Sequence, residues 1–440
     1  MIETLCTLPL PSDVFTSALH PSTSTSTSTP TLYTVGLASG HVITYRIPPP
    51  STSPSKTGLG ICETAWKTHR HKGSCRCICY SWDGANIVSA GLDGVVKVAE
   101  SESGRVVWKL GGVCTSTHDP DPPTLLSSPT PQTLLLATDS SALHLYDLRT
   151  PPHPTRPTQT HHPHTDYISS LTALPPSQTS SSHLPRQILT TGGTTLAITD
   201  LRKGILAQSE DQEAELLSSC VVSGVRRRGR GTDLAVTGTG EGVLLLWERG
   251  AWDDQNGRIV ADKHVGGGGG GVDRESIDVL KTAPGSLFHH YHHTTGKIIA
   301  LGQGDGKIKF VNVGGGAGNN TFAGEFVHDE FDGVVGLDFE DGQGGEGGAG
   351  RMISAGGRTV KIWGVEEESE EGEEEESEGE CEEGDDDNDG DGDESEEEEK
   401  EEEQSSDSDS DQKPRKRRKT KKQGQNNSGK PIMGAFRGID

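Results

Sequence analysis

No apolar run in this 440-residue chain approaches the roughly 18–20 residues that a membrane-spanning helix needs. Its first residues, MIETLCTLPLP, lack the basic start of a secretory signal. Eight cysteines stand at 6, 62, 75, 77, 79, 114, 220 and 381, with no CxxC pair and no disulfide-like framework, so a reducing compartment is the expectation. No GxSxG elbow, HExxH helix or kinase loop set occurs. These absences predict a soluble, intracellular protein that is not an enzyme, with no catalytic residue, no cofactor, no metal and no small-molecule substrate.

What the chain does have is repetition. Seven times a small-residue turn leads into a short alternating strand: LASGHVITY (37–45), GLDGVVKVA (91–99), DSSALHLY (139–146), GGTTLAIT (192–199), GEGVLLLW (240–247), GDGKIKFV (304–311) and GGRTVKIW (356–363). The copies end at Tyr45, Ala99, Tyr146, Thr199, Trp247, Val311 and Trp363. A hairpin turn feeding a period-2 strand, recurring at roughly 40–60-residue intervals, is the signature of a β-propeller blade. The fold expected is therefore all-β, a seven-bladed propeller over residues 1–365 of the WD-repeat type. The second copy shows the design best: strands at 75–80, 86–90 and 95–99, with an Asp93-Gly94 turn. Blades of about 52 residues exceed the about 40–45 of a WD-type unit. The surplus falls in low-complexity stretches: 22–29, 48–55, 119–133, 151–164, 266–271, 314–318 and 342–350. These are expected to be flexible surface loops with little to bury against the entropy of ordering.

Charge is distributed in blocks. Residues 366–411 hold 30 Asp and Glu against one Lys, and 413–422 (KPRKRRKTKK) hold eight Lys and Arg. The remaining chain to 365 is nearly balanced, so the net charge of −26 belongs to the C-terminal region. Such blocks predict two disordered segments, an acidic 366–411 and a basic 412–440. Lys413, Arg415, Lys416, Arg417, Arg418, Lys419, Lys421 and Lys422 read as a nuclear or nucleolar targeting signal that could also contact RNA. Ser405, Ser406, Ser408 and Ser410 lie among aspartates as candidate phosphorylation sites for an acid-directed kinase.

Several patterns have both a chemical and a structural reading. Cys75, Cys77 and Cys79 fall in the register of a single strand, which favours packing over a zinc site. GQGDGK (302–307) imitates a phosphate loop, but the strand IKFVNV follows where a helix would be needed. HHPH (161–164) and HHYHH (289–293) offer imidazoles without a matching ligand set. His71 is expected to pack within its blade and hydrogen-bond an inter-strand turn. VRRRGRG (225–231) is read as a solvated loop between strands 220–224 and 233–237, the other reading being a phosphate-contacting patch.

A family resemblance runs through VGLASGHVITYRI (35–47), HKGSCR (71–76), HTDYISSLTALP (164–175), SEDQEAELLS (209–218) and GEGVLLLWERGAWDD (240–254), then the acidic block and the basic run. In this order the chain resembles the WD repeat-containing protein 55 family, fungal Jip-type members included, although no copy ends in the Trp-Asp dipeptide. The resemblance implies a nucleolar protein tied to ribosomal RNA production. The function expected is a non-enzymatic nucleolar scaffold for ribosome biogenesis, binding pre-ribosomal or rRNA-processing factors and no membrane. Two other classes stay open. One is an acidic-tailed chaperone for histones or ribosomal proteins. The other is a substrate receptor of a ubiquitin ligase, for which Asp147 with Arg149 and Asp200 with Arg202 form the Asp-x-Arg pattern of an adaptor contact.

Overall fold

A computed structural model describes residues 2–21, 30–49, 62–110, 121–149, 154–176, 183–227, 230–261, 274–288, 297–314, 322–340 and 350–365. The chain divides into two units, Met1–Glu370 and Glu371–Asp440, and every described residue belongs to the first.

Alternating apolar residues and tight turns build seven four-stranded antiparallel sheets from the described residues. The first strand, β1 (Ile2–Pro9), stands apart from those that follow it. Blade 1 is β2 (Val14–Leu19), β3 (Thr31–Leu37), β4 (His41–Ile47) and β5 (Glu63–His69). Blade 2 is β6 (Cys75–Tyr80), β7 (Asn86–Gly91), β8 (Val96–Glu100) and β9 (Val106–Leu110). Blade 3 is β10 (Pro123–Thr130), β11 (Thr133–Thr138), β12 (Leu143–Asp147) and β13 (Gln159–His161). Blade 4 is β14 (Ser170–Ala173), β15 (Gln187–Gly192), β16 (Thr195–Asp200) and β17 (Gly204–Gln208). Blade 5 is β18 (Leu216–Arg227), β19 (Arg230–Thr239), β20 (Val243–Glu248) and β21 (Gly257–Val260). Blade 6 is β22 (Ile277–Thr282), β23 (Lys297–Gln303), β24 (Lys307–Val313) and β25 (Phe322–Val327). Blade 7 is β26 (Val334–Glu340), β27 (Arg351–Gly356) and β28 (Thr359–Val365), completed on its outside by β1.

The ring is closed by its first strand. Ile2 pairs with Val365 and Pro9 with Thr359, so the start of the chain covers the edge that β28 would otherwise expose. The first strands of successive blades pack against one another from β2 round to β26 and back to β2, lining a central channel. Seven apolar clusters fill the spaces between blades, one per neighbouring pair. Burial is thus shared around the circle, and each blade depends on both neighbours.

The turns between the middle strands show why glycine recurs there. Five positions before the repeat end, Gly40, Gly94, Gly242 and Gly306 adopt φ between 66° and 80°. A Cβ on Gly306 would meet Asp329 O at 2.1 Å, so both conformation and the next loop demand glycine. Blade 3 places Ser141 at the same point with φ 66°, a left-handed residue bearing a side chain.

Three sequence expectations need correction. Within 119–133, expected as a loop, Pro123–Thr130 forms the innermost strand of blade 3. An inner strand has one unpaired side toward the channel, so its prolines forfeit no necessary ladder bond. Within 151–164, also expected as a loop, Gln159–His161 pairs with Leu143–Leu145 as a short outer strand. VRRRGRG is not a loop between two shorter strands: Val225 pairs with Thr232, Arg226 with Gly231 and Arg227 with Arg230. A bulge between Val222 and Val225, with Gly224 at φ 72°, redirects the strand and buries Val225, which anchors the extension. The stretches 22–29, 266–271 and 289–293 lie outside the described residues, as do most of 314–318 and 342–350.

Candidate functional site

Two sets of side chains, generated by the same repeat, organise the propeller: one locks each blade and the other is displayed at the channel. The first set begins at one ladder position. Two residues before each repeat end, the third strand pairs with Val35, Ser89, Leu136, Thr190, Thr237, Leu301 or Ser354 on the second. Four of these carry hydroxyls in fully buried surroundings, and each has a partner. In blade 2, His71 donates from Nδ1 to Asp93 Oδ1 at 3.0 Å and lies 3.0 Å from Ser89 Oγ through Nε2. Asp93 also accepts from the N–H groups of Lys72 and Val95, fixing the turn. In blade 4, His164 sits between Thr195 Oγ1 at 2.8 Å and Thr190 Oγ1 at 2.9 Å. In blade 5, Trp247 donates to Thr237 Oγ1 at 3.0 Å. In blade 7, Trp363 donates to Ser354 Oγ, which lies 2.8 Å from His328 Nδ1.

Burial holds all three histidines below the usual imidazole range, and His164 falls to about 4. They are neutral structural links near pH 7. His71 meets the sequence expectation. His164, at the end of the HHPH run, is a packed link of blade 4. Among the described residues no group of three His, Cys, Asp or Glu side chains is placed to hold a metal ion. Cys75, Cys77 and Cys79 line one strand as expected, and burial pushes Cys75 and Cys79 up to about 12, unsuited to a thiolate centre. GQGDGK is the hairpin between β23 and β24.

The second set lies at the end of the channel where the inner strands begin. In six blades the ladder slips at the second residue of the inner strand, a β-bulge that frees Phe15, Arg76, Thr124, Leu217, Asp278 and Val335. In blade 4, Ser169 just before β14 takes the equivalent place, and its N–H donates to Thr191 O. A bulge leaves its extra residue out of the pairing and re-aims its side chain. Here the consequence is a ring with one member per blade at the channel mouth. A recess of ≈ 370 Å³ is lined by Phe15, Arg76, Thr124, Asp139, Tyr167 and Ser169, drawn from blades 1 to 4. Tyr167 donates to Glu215 Oε1 at 3.1 Å; burial and the carboxylates of Glu215, Asp166 and Asp139 push its hydroxyl up to about 12. Deeper in the channel Lys281 Nζ meets Asp338 Oδ1 at 2.9 Å, and that attraction raises the lysine further.

The Asp-x-Arg pairs lie at the opposite end, in turns after the third strands. Arg149 is held by Asp147, with Nη2 at 2.6 Å from Oδ2, which brings the carboxyl down to about 2. Asp200 Oδ1 accepts from the N–H groups of Arg202 and Lys203. Both aspartates therefore cap their own turns. The basic run 413–422 and Ser405, Ser406, Ser408 and Ser410 lie outside the described residues. The bulge ring escaped sequence reading altogether: a bulge is defined by the partner strand's register, which no local motif encodes.

Seven blades closed by the N-terminal strand, with His, hydroxyl and Trp links inside them, define a WD-repeat β-propeller, a class that mediates contacts between proteins and is generally not enzymatic. Curated relatives give the family. The chain is 48% identical over 377 residues to the WD repeat-containing protein jip5 of Neosartorya fischeri, covering 82% of this chain and 84% of that protein. It is 48% identical over 370 residues to the protein of the same name in Coccidioides immitis, covering 82% and 81%. For Phaeosphaeria nodorum the figures are 45% over 385 residues, covering 83% and 82%. The chain belongs to the jip5 family of fungal WD-repeat proteins. No protein-family model matches it.

Proposed function

We propose that this protein is a non-enzymatic nucleolar scaffold of ribosome biogenesis, in which the propeller binds pre-ribosomal or rRNA-processing proteins. The observation that carries the scaffold reading is the ring of bulged side chains, which presents one residue from every blade at a single channel mouth. The nucleolar role draws support from the resemblance to WD repeat-containing protein 55 and from eight basic residues within 413–422. In this reading the basic run directs residence and adds RNA contact, and phosphates on Ser405, Ser406, Ser408 and Ser410 would deepen the acidic block.

Deleting 413–422 in a tagged full-length protein tests it. The reading expects nucleolar signal to disperse while precursor rRNA accumulates on depletion of the protein. Unchanged localisation together with normal rRNA processing contradicts it. One observation favours a second reading, a chaperone for histones or ribosomal proteins: the 30 acidic residues of 366–411 are a strong attractor for free basic proteins. That reading expects binding to vanish with the acidic block. A ligase-receptor role would need Arg149 released from Asp147, and co-purification of a ligase adaptor tests it.

A further inference from the structure

The ring of bulged residues is chemically uneven around the mouth. Phe15 and Val335 stand on β2 and β26, which pack against each other, and they are 47% and 41% exposed. Phe331, in the loop that leads into β26, is 89% exposed. Large apolar side chains gathered at a concave mouth mark a place where another chain is received. Blade 2 presents Arg76 beside Phe15, and blades 3 to 6 present carboxylates. Beside Gly304, an added methyl group would meet Asp278 Oδ2 at 3.4 Å and Glu275 Oε2 at 3.9 Å, so both acids share one corner. Asp139, Asp166 and Glu215 surround Tyr167 on the next sector. None of the ion pairs among the described residues involves any of these five carboxylates. Desolvation holds the Asp278 carboxyl above its ordinary range, against a hydrogen bond with Ser276 that lowers it.

Resting on the scaffold reading, we propose that this mouth receives a linear Lys/Arg-rich segment of a partner protein, seating one apolar side chain on Phe15 and Val335 and its cations on Asp278, Glu275 and Glu215. Charge complementarity selects the occupant. Phosphate backbones are repelled by these acids, which outnumber Arg76, the ring's one cation. A basic peptide replaces the missing cations, while its apolar residue supplies the central contact on which such interfaces depend.

The test uses the full-length chain and a short labelled peptide alternating lysine, arginine and glycine around one leucine, with a leucine-to-serine peptide as reference. Because the 30 acidic residues of 366–411 attract any basic peptide, the informative comparison is between variants that share them. Phe15→Ser is expected to weaken the leucine peptide by about tenfold and leave the serine peptide unchanged. Asp278→Asn weakens both peptides, and Trp82→Ser in the turn between β6 and β7, at the far end of the channel, affects neither. A photoactivatable group at the leucine of the wild-type complex is expected to crosslink to the starts of β2 and β26, a readout independent of how well any variant folds. Equal affinities across the variants, or crosslinks confined to 366–411, overturn the proposal. Cellular partners that still bind a Phe15→Ser protein would preserve the scaffold reading while removing the mouth from it.

Discussion

The indole N–H of Trp363 donates to the hydroxyl of Ser354 at 2.8 Å, and through that hydroxyl a tryptophan on β28 is joined to His328 in the loop before β26. His328 Nε2 in turn donates to Gly356 O at 3.3 Å. Three elements of blade 7 thus depend on one oxygen. Ser354→Ala should leave a buried indole N–H and an imidazole nitrogen short of a partner, costing roughly 2–4 kcal/mol. Ser89→Ala, which strands only His71, should cost less. Urea unfolding of the two variants checks the order.

Acid should destabilise the propeller through its histidines. His71, His164 and His328 all have folded-state values depressed by burial, while an unfolded histidine titrates near about 6.5. In the interval between, the unfolded chain binds more protons, so stability rises with pH. The stabilisation is complete above the unfolded value and is lost as pH falls through the folded values, down to about 4 for His164. From His164 alone the loss amounts to roughly 3 kcal/mol. Melting temperatures measured between those limits should drop steeply, and His164→Gln should flatten that slope at the expense of stability at neutral pH.

Ser141 carries a left-handed backbone where four other blades use glycine. Its hydroxyl lies 3.4 Å from His162 Nδ1, a weak contact. Ser141→Gly relieves the strain but frees the unfolded chain, and the balance should stabilise by about 0.5 kcal/mol. Thermal unfolding decides it; a lower melting temperature would mean that the hydroxyl matters more than the backbone.

Removing residues 2–9 should open the ring, because β1 alone covers β28. An uncovered edge pairs with other chains. Size-exclusion chromatography is expected to show association, and thermal unfolding a broad, early transition.

The hairpins were legible in sequence wherever a local signal sufficed. Asp93-Gly94 and Asp305-Gly306 specify tight turns by themselves, and the strands around Asp93 run at Asn86–Gly91 and Val96–Glu100, close to expectation. His71 was legible because it sits at a fixed place before its repeat. Trp247 and Trp363 meet the hydroxyls of Thr237 and Ser354, and Val35, Leu136 and Leu301 would leave an indole N–H nothing to bond. In blades 2 and 4 the hydroxyls of Ser89 and Thr190 meet histidines, and the copies end in Ala99 and Thr199. What sequence did not reveal depends on distant partners. The strand at Pro123–Thr130 is permitted its prolines only by its place beside the channel, and the bulged ring exists only once neighbouring strands set its register.

The most direct test of the scaffold account is crosslinked affinity purification of the full chain and of a version ending at Glu370, at matched salt, with bound proteins and RNA identified. The account predicts that both recover the same proteins, with crosslinks on the propeller. Recovery by the full chain alone, with partners attached only to 366–411, would contradict it and transfer binding to the acidic block.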